Sequence, residues 1–245
     1  MTLVNENKLK EFETWLSLLT NRTLPKRHKW KAWFCVAEYE QSDFQNISSI
    51  LQQYDSTASF AFLGRDAEEH SDIMQMLLDD GHEIAFHSHR HHTYADLSYE
   101  TAHDAITKGV SAIENETGIT PQGFFVPFFE LSDGSIQAIE DFGFDWLLAS
   151  TDQELSNVET REPAWPLDTK RFEEDSVSEV MKQFTREARS GEGPFLFHPP
   201  VIEYRNGIAN LERWIDSIQP VSMAEQLQSG GTGIVLDCIQ PVRIE

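Results

Sequence analysis

Apolar residues recur along this chain in two alternating rhythms. Leu9, Phe12, Leu16 and Leu19 stand three or four apart, the spacing of one helix face, and predict an N-terminal helix within residues 1–30. A short apolar run at 33–37 predicts a strand. Phe44, Ile47, Ile50, Leu51 and Tyr54 return to helical spacing, and 58–63 is a second apolar strand. Asp66 and Glu69 have the form of a capping box for a helix carrying Ile73, Met76 and Leu77, which Gly81 stops. Strands at 82–86, 123–126 and 146–148 alternate with helices that open at Ser98 and Ser132. A helix at 177–188, a strand at 194–197, a helix at 208–218 and a strand at 234–239 complete the pattern. The polar stretch 157–175 reads as a surface loop.

Strand and helix in strict alternation build a parallel sheet or barrel. Nothing rich in Gly, Ser or Pro divides the chain, so 1–245 reads as one domain with a helical extension over about 1–30. With 245 residues, 40% of them hydrophobic, a substantial core is expected and a disordered chain is not.

Charge narrows the partners. Nineteen Lys and Arg stand against 41 Asp and Glu, a formal net charge of −22. Nucleic acid and anionic membranes attract clustered cations, which are missing here. A salty cytoplasm would screen the self-repulsion of such a chain. No apolar run approaches the roughly 20 residues of a membrane-spanning helix. Residues 1–20 carry Lys8, Lys10, Glu11 and Glu13 and no export-type apolar segment, so a cytoplasmic location is expected. Cys35 and Cys238 sit in apolar runs and read as buried small hydrophobes.

In sheets of this kind functional side chains gather where strands end. The ends of the predicted strands carry Glu38 and Glu40, then His87, then Pro127, then His198. The segment His87-Ser88-His89-Arg90-His91-His92 concentrates metal-ligating side chains. Two geometries fit it. Either the chain turns after the strand and brings His87 and His91 together, or His87, His89 and His91 alternate along one face of an extended strand. The metallo-β-lactamase pattern of two alternating histidines then Asp-His fits less well, since His91 stands where its Asp belongs.

The run Asp80-Gly81-His82-Glu83-Ile84-Ala85-Phe86-His87-Ser88 through His91 resembles the second motif of polysaccharide deacetylases, the NodB-homology or carbohydrate esterase family 4 domain. The resemblance extends to residues 58–64, 118–128 and 195–199, in the family's order, and spans about residues 31–227. It implies a distorted (β/α) barrel. It also implies one divalent metal ion, zinc first, with cobalt or nickel as alternatives, held by His87 and His91. The first motif is matched by Val36-Ala37-Glu38-Tyr39-Glu40. There Glu38 takes the place of the catalytic base and Glu40 that of the metal-binding carboxylate. A shifted register puts Ala37 at the base and Glu38 on the metal. The family carries aspartates, and the extra methylene displaces a carboxylate by about 1 Å, enough to cost on the order of 100-fold in rate.

In the third motif, Phe125-Val126-Pro127-Phe128, the proline and aromatic match but the family's arginine is missing. That arginine orients the catalytic carboxylate, so its loss removes a charge partner. By resemblance the N–H of Phe128 faces an oxyanion, while the side chains of Phe124, Phe125, Phe128 and Phe129 read as core and pocket wall. His198, in Phe195-Leu196-Phe197-His198-Pro199, matches the acid that protonates the departing amine, with Asp145 or Asp152 to orient it. His82 reads as a packing residue; Trp146 and Trp165 read as core packing, with the lining of a sugar groove as the alternative. The implied reaction is metal-dependent removal of an acyl group from the amide nitrogen of an N-acylated sugar or glycan precursor. The missing arginine and altered acidic pair leave two alternatives: a catalytically degenerate metal-binding protein, or an amidase on a non-sugar substrate.

Overall fold

The computed structural model describes residues 41–164, 176–199 and 207–238. The predicted N-terminal helix, the strand at 33–37, Cys35 and Trp165 lie outside the described residues. In chain order the elements are α1 (Gln41–Gln53), β1 (Ser59–Phe62), α2 (Ser71–Asp79), β2 (Glu83–Phe86), α3 (Tyr99–Thr117), β3 (Gly123–Phe125), α4 (Asp133–Phe142) and β4 (Trp146–Leu148). They continue with β5 (Glu159–Arg161), α5 (Val177–Arg189), β6 (Phe195–Phe197), α6 (Ile208–Ile218), α7 (Met223–Ser229) and β7 (Ile234–Asp237). The strands form one sheet in the order β5-β4-β3-β2-β1-β7-β6, and every pairing is parallel. The sheet curls into a half-barrel with helices on its outer side, as the strand–helix alternation predicts.

Side-chain parity sorts the strands into two faces. Phe60, Phe62, Ile84, Phe86, Phe195, Phe197, Ile234 and Leu236 belong to the large core shared with the helices. Ala61, Ala85, Leu196, Val235, Phe125 and Leu148 form a smaller cluster on the inner face. Two residues beyond Ala85, Val235 and Leu196 come His87, Asp237 and His198. Period-two alternation therefore carries all three to the inner side, at the C-terminal end of the sheet.

The opposite end of the inner face is closed by a polar plug. Glu83, at the start of β2, accepts hydrogen bonds from Ser59 Oγ, from Trp146 Nε1 at 2.8 Å and from the Ala224 N–H at 3.1 Å. Burial raises the Glu83 carboxyl pKa, and these donors oppose the shift. Trp146 fits there because Gly123 faces it: a Cβ on Gly123 would lie 1.9 Å from the indole. Both Trp146 and His82 are structural, as expected. His82 Nε2 lies 3.0 Å from Ser48 Oγ, whose hydroxyl donates to Asp80 Oδ2 at 2.5 Å.

The predicted caps at Ser98 and Ser132 form, accepting from the Thr101 and Ser135 N–H groups. Three expectations change. The capping box at Asp66 and Glu69 does not form. Residues Gly64–Asp66 make a 3-10 turn, and α2 begins at Ser71 behind His70 without a side-chain cap bond. The reason is tertiary: the N–H groups of Gly64 and Arg65 donate to the carbonyls of Ser88 and His89, at 3.0 and 3.1 Å. Within the polar stretch 157–175, β5 adds an edge strand to β4. Its side chains are exposed or half-exposed, so it carries no apolar signal. The short α7, capped by Ser222, was not predicted.

Candidate active site

β2 delivers His87 to the C-terminal rim, fully buried. Its Nδ1 lies 2.7 Å from the Phe125 carbonyl, which can only accept, so Nδ1 carries the proton. Nε2 then presents a lone pair. It is buried and has no hydrogen-bond partner among the described residues. The Phe125 ring stacks on the imidazole at 4.0 Å between centroids. Burial lowers the His87 pKa to about 4, so the ring is neutral at neutral pH.

After His87 the chain reverses. Ser88 takes φ +74°, a left-handed conformation uncommon for serine. Its hydroxyl is satisfied by donating to the Arg90 carbonyl at 2.8 Å and by the hydroxyl of buried Tyr94 at 3.1 Å. The turn returns His91 to His87, with 5.0 Å between ring centroids. Of the two geometries the sequence allowed, the structure adopts the turn. His89 does not continue a strand, and its carbonyl instead anchors the loop to Arg65. Burial lowers the His91 pKa as well.

His198 follows β6 and Asp237 ends β7. Asp237 Oδ2 lies 3.3 Å from His198 Nε2 and Oδ1 lies 3.9 Å from His87 Nε2. Asp237 is 2% exposed and His198 8%. Burial pushes the Asp237 carboxyl up, but His87 and His198 together outweigh it, and the net pKa falls below the usual aspartate value. Asp145 and Asp152 do not fill the orienting role considered for them. Asp145 opens the opposite end of the sheet, before β4, and Asp152 is exposed in the loop after it. Asp237 was missed by the sequence reading. The one available signal was a lone carboxylate inside the apolar run 234–239, which the structure ends at Asp237.

The third motif forms the wall. Pro127 is buried, while Phe128 and Phe129 take φ +61° and +68°. Phe129 turns into the inner cluster. Phe128 is 56% exposed, and its ring lies 4.7 Å from that of His91. Phe124, Phe125 and Phe129 are core, as their apolar character suggested. Phe125 stands where the resemblance expects arginine. Glu38 and Glu40 lie outside the described residues.

His87 meets the requirements of a metal ligand: neutral, its tautomer set by a backbone carbonyl on the far nitrogen, its other lone pair buried and directed inward. His91 and two further polar groups stand beside it. Among the described residues, no set of three or more His, Cys, Asp or Glu is already arranged to hold a metal ion. Among the same residues, no helix is long and apolar enough to cross a membrane.

A parallel curled sheet with this histidine loop at its C-terminal rim defines a deacetylase-type (β/α) barrel. Residues 26–147 match the polysaccharide deacetylase family, and the chain belongs to that family as a divergent member. It is 27% identical over 100 residues to a peptidoglycan deacetylase of Helicobacter pylori, covering 41% of this chain and 34% of that protein. It is 24% identical over 122 residues to a peptidoglycan-N-acetylglucosamine deacetylase of Bacillus cereus, covering 46% and 44%. The matched stretches thus span less than half the length of these curated relatives.

Solved structures share the fold at low identity. A CE4 family pseudoenzyme from Bacillus anthracis superposes with a TM-score of 0.58 at 18% identity, over 82% of this chain and 66% of that one. A family 4 carbohydrate esterase from Streptomyces lividans in complex with acetate gives 0.58 at 19%, over 80% and 93%. An allantoinase gives 0.62 at 16%, over 78% and 74%.

Proposed function

We propose that this protein is a metal-dependent hydrolase that removes an acetyl or similar acyl group from the amide nitrogen of an N-acylated sugar or glycan precursor. The observation that carries the reading is the His87 imidazole: its Nδ1–H is spent on the Phe125 carbonyl and its Nε2 lone pair is buried beside His91, Asp237 and His198. His87 and His91 with one carboxylate, Glu40 by resemblance, would hold a single divalent ion, zinc first and cobalt or nickel as alternatives. When bound, such an ion polarises the amide carbonyl and acidifies a water molecule.

The chain's own residues supply the proton transfers and the walls. Glu38, by resemblance, takes the proton from water, and His198 gives one to the departing amine. Asp237, 3.3 Å from His198 Nε2, fixes that ring's direction. The N–H of Phe128, in the loop that opens at Pro127, is the candidate donor to the oxyanion. The exposed Phe128 ring beside His91 offers an apolar face to the substrate. The family and the curated deacetylases that the chain resembles favour a sugar amide.

The test is acetate release from N-acetylglucosamine oligomers by metal-loaded protein. Release that disappears in Glu38→Ala and His198→Ala supports the reading. A protein that takes up neither zinc, cobalt nor nickel refutes it. One observation favours a second reading: Phe125 replaces the motif arginine and its ring is committed to stacking on His87. That arrangement suits a catalytically degenerate metal-binding protein, and the pseudoenzyme of the same fold is a precedent. Tight metal binding without turnover on any amide would select it. Turnover of a non-sugar amide alone would select an amidase, the direction in which the allantoinase neighbour points.

A further inference from the structure

Among the described residues, the carboxylate that faces His87 comes from β7. β7 lies between β1 and β6, pairing Asp237 with Ala61 on one side and Leu236 with Phe197 on the other. Both edges of β1 are therefore filled, by β2 and by β7. Among the described residues, the carboxylate that lies beside His87 across β1 is that of Asp237, on β7, and parity turns it inward.

Asp237 Oδ1 and His87 Nε2 face each other at 3.9 Å, too far for a hydrogen bond. Because the His87 proton sits on Nδ1, both facing atoms are electron-pair donors. A cation bound between them would join the two. Zinc bonds to imidazole nitrogen and carboxylate oxygen are each about 2.0–2.2 Å, so a 3.9 Å gap fits within the sum of the two. The second oxygen, Oδ2, is turned to His198. A carboxylate that binds metal through one oxygen and holds a neighbouring side chain through the other is a common metal-site arrangement.

We infer that Asp237 is a carboxylate ligand of the divalent cation, beside His87 and His91. This rests on the metal-dependent reading above. His91 stands on the turn that follows β2, with its ring 5.0 Å from that of His87.

The experiment is zinc titration of the full chain by calorimetry, with cobalt as a spectroscopic probe. Asp237→Asn is expected to weaken zinc binding by about 100-fold or more. Because Asp237→Asn alters a buried position, Asp237→Cys is the second arm. Cobalt bound to that variant should show a thiolate-to-cobalt charge-transfer band in the near ultraviolet. Parent-like zinc affinity in Asp237→Asn, or cobalt loading of Asp237→Cys without that band, overturns the assignment and leaves the metal-dependent reading standing. A parent protein that binds none of these metals overturns both.

Discussion

Gly109 tests how rigidly the fold supports the histidine loop. It lies mid-way along α3, where an alanine ordinarily stabilises a helix by about 1 kcal/mol over glycine. Here the structure sets a larger opposing effect. A Cβ at Gly109 would lie 2.4 Å from Phe86 Cε2, 2.9 Å from Cζ and 3.0 Å from the His89 Cα. Phe86 cannot step aside: it is fully buried, with ring centroids 4.8 Å from Phe124 and 6.0 Å from Phe144. On the other flank, Gly64 is so close that a Cβ there would meet the Gly109 backbone at 2.4 Å. Overpacking of this kind costs roughly 1–3 kcal/mol, and contacts this short belong at the upper end. The net expectation for Gly109→Ala is a loss of about 2 kcal/mol, a fall in Tm of roughly 4–8 °C for a chain this long. Urea unfolding followed by circular dichroism measures it. A variant equal to or more stable than the parent would mean that helix propensity had won, and that the close approach of α3 to β2 and the histidine loop is wrong.

Two further outcomes follow from buried polar groups away from the active site. Burial holds His82 at a pKa of about 4 against an ordinary 6.5. The unfolded chain therefore takes up that proton first as the pH falls. Stability from His82 is complete above about 6.5 and is lost towards 4, by on the order of 3 kcal/mol. His82→Gln, which can still donate to Ser48, should flatten that part of the stability–pH curve, and an unchanged slope would refute the assignment. Trp146→Phe removes one of the three donors to the half-buried Glu83 carboxylate. It should cost about 1–3 kcal/mol in urea unfolding, and a loss below about 0.5 kcal/mol would show that the plug is not holding that charge.

Much of this molecule is legible in one dimension. The strands at β1, β2, β3, β4, β6 and β7 and the capped helices α3 and α4 follow from local rules. An apolar run between turn residues is a buried strand, and a serine ahead of a helical stripe is a cap. The pairing of His87 with His91 was one of two arrangements open to the sequence. The left-handed turn at Ser88, held by Tyr94 and by the amides of Gly64 and Arg65, decided between them. β5 was invisible because an exposed edge strand needs no apolar side chains.

Asp237 marks the division most clearly. Local pattern determines that it lies in an apolar strand and points to the same side as Val235. That the side is the one facing His87 and His198 depends on strand order, because β7 inserts between β1 and β6 rather than extending an edge. Strand order is set by how the faces of all seven strands are best buried together, a sum over contacts distant in the chain. Residue spacing carries the periodicity of each element, and only the assembled sheet brings the last strand's carboxylate to the second strand's histidine.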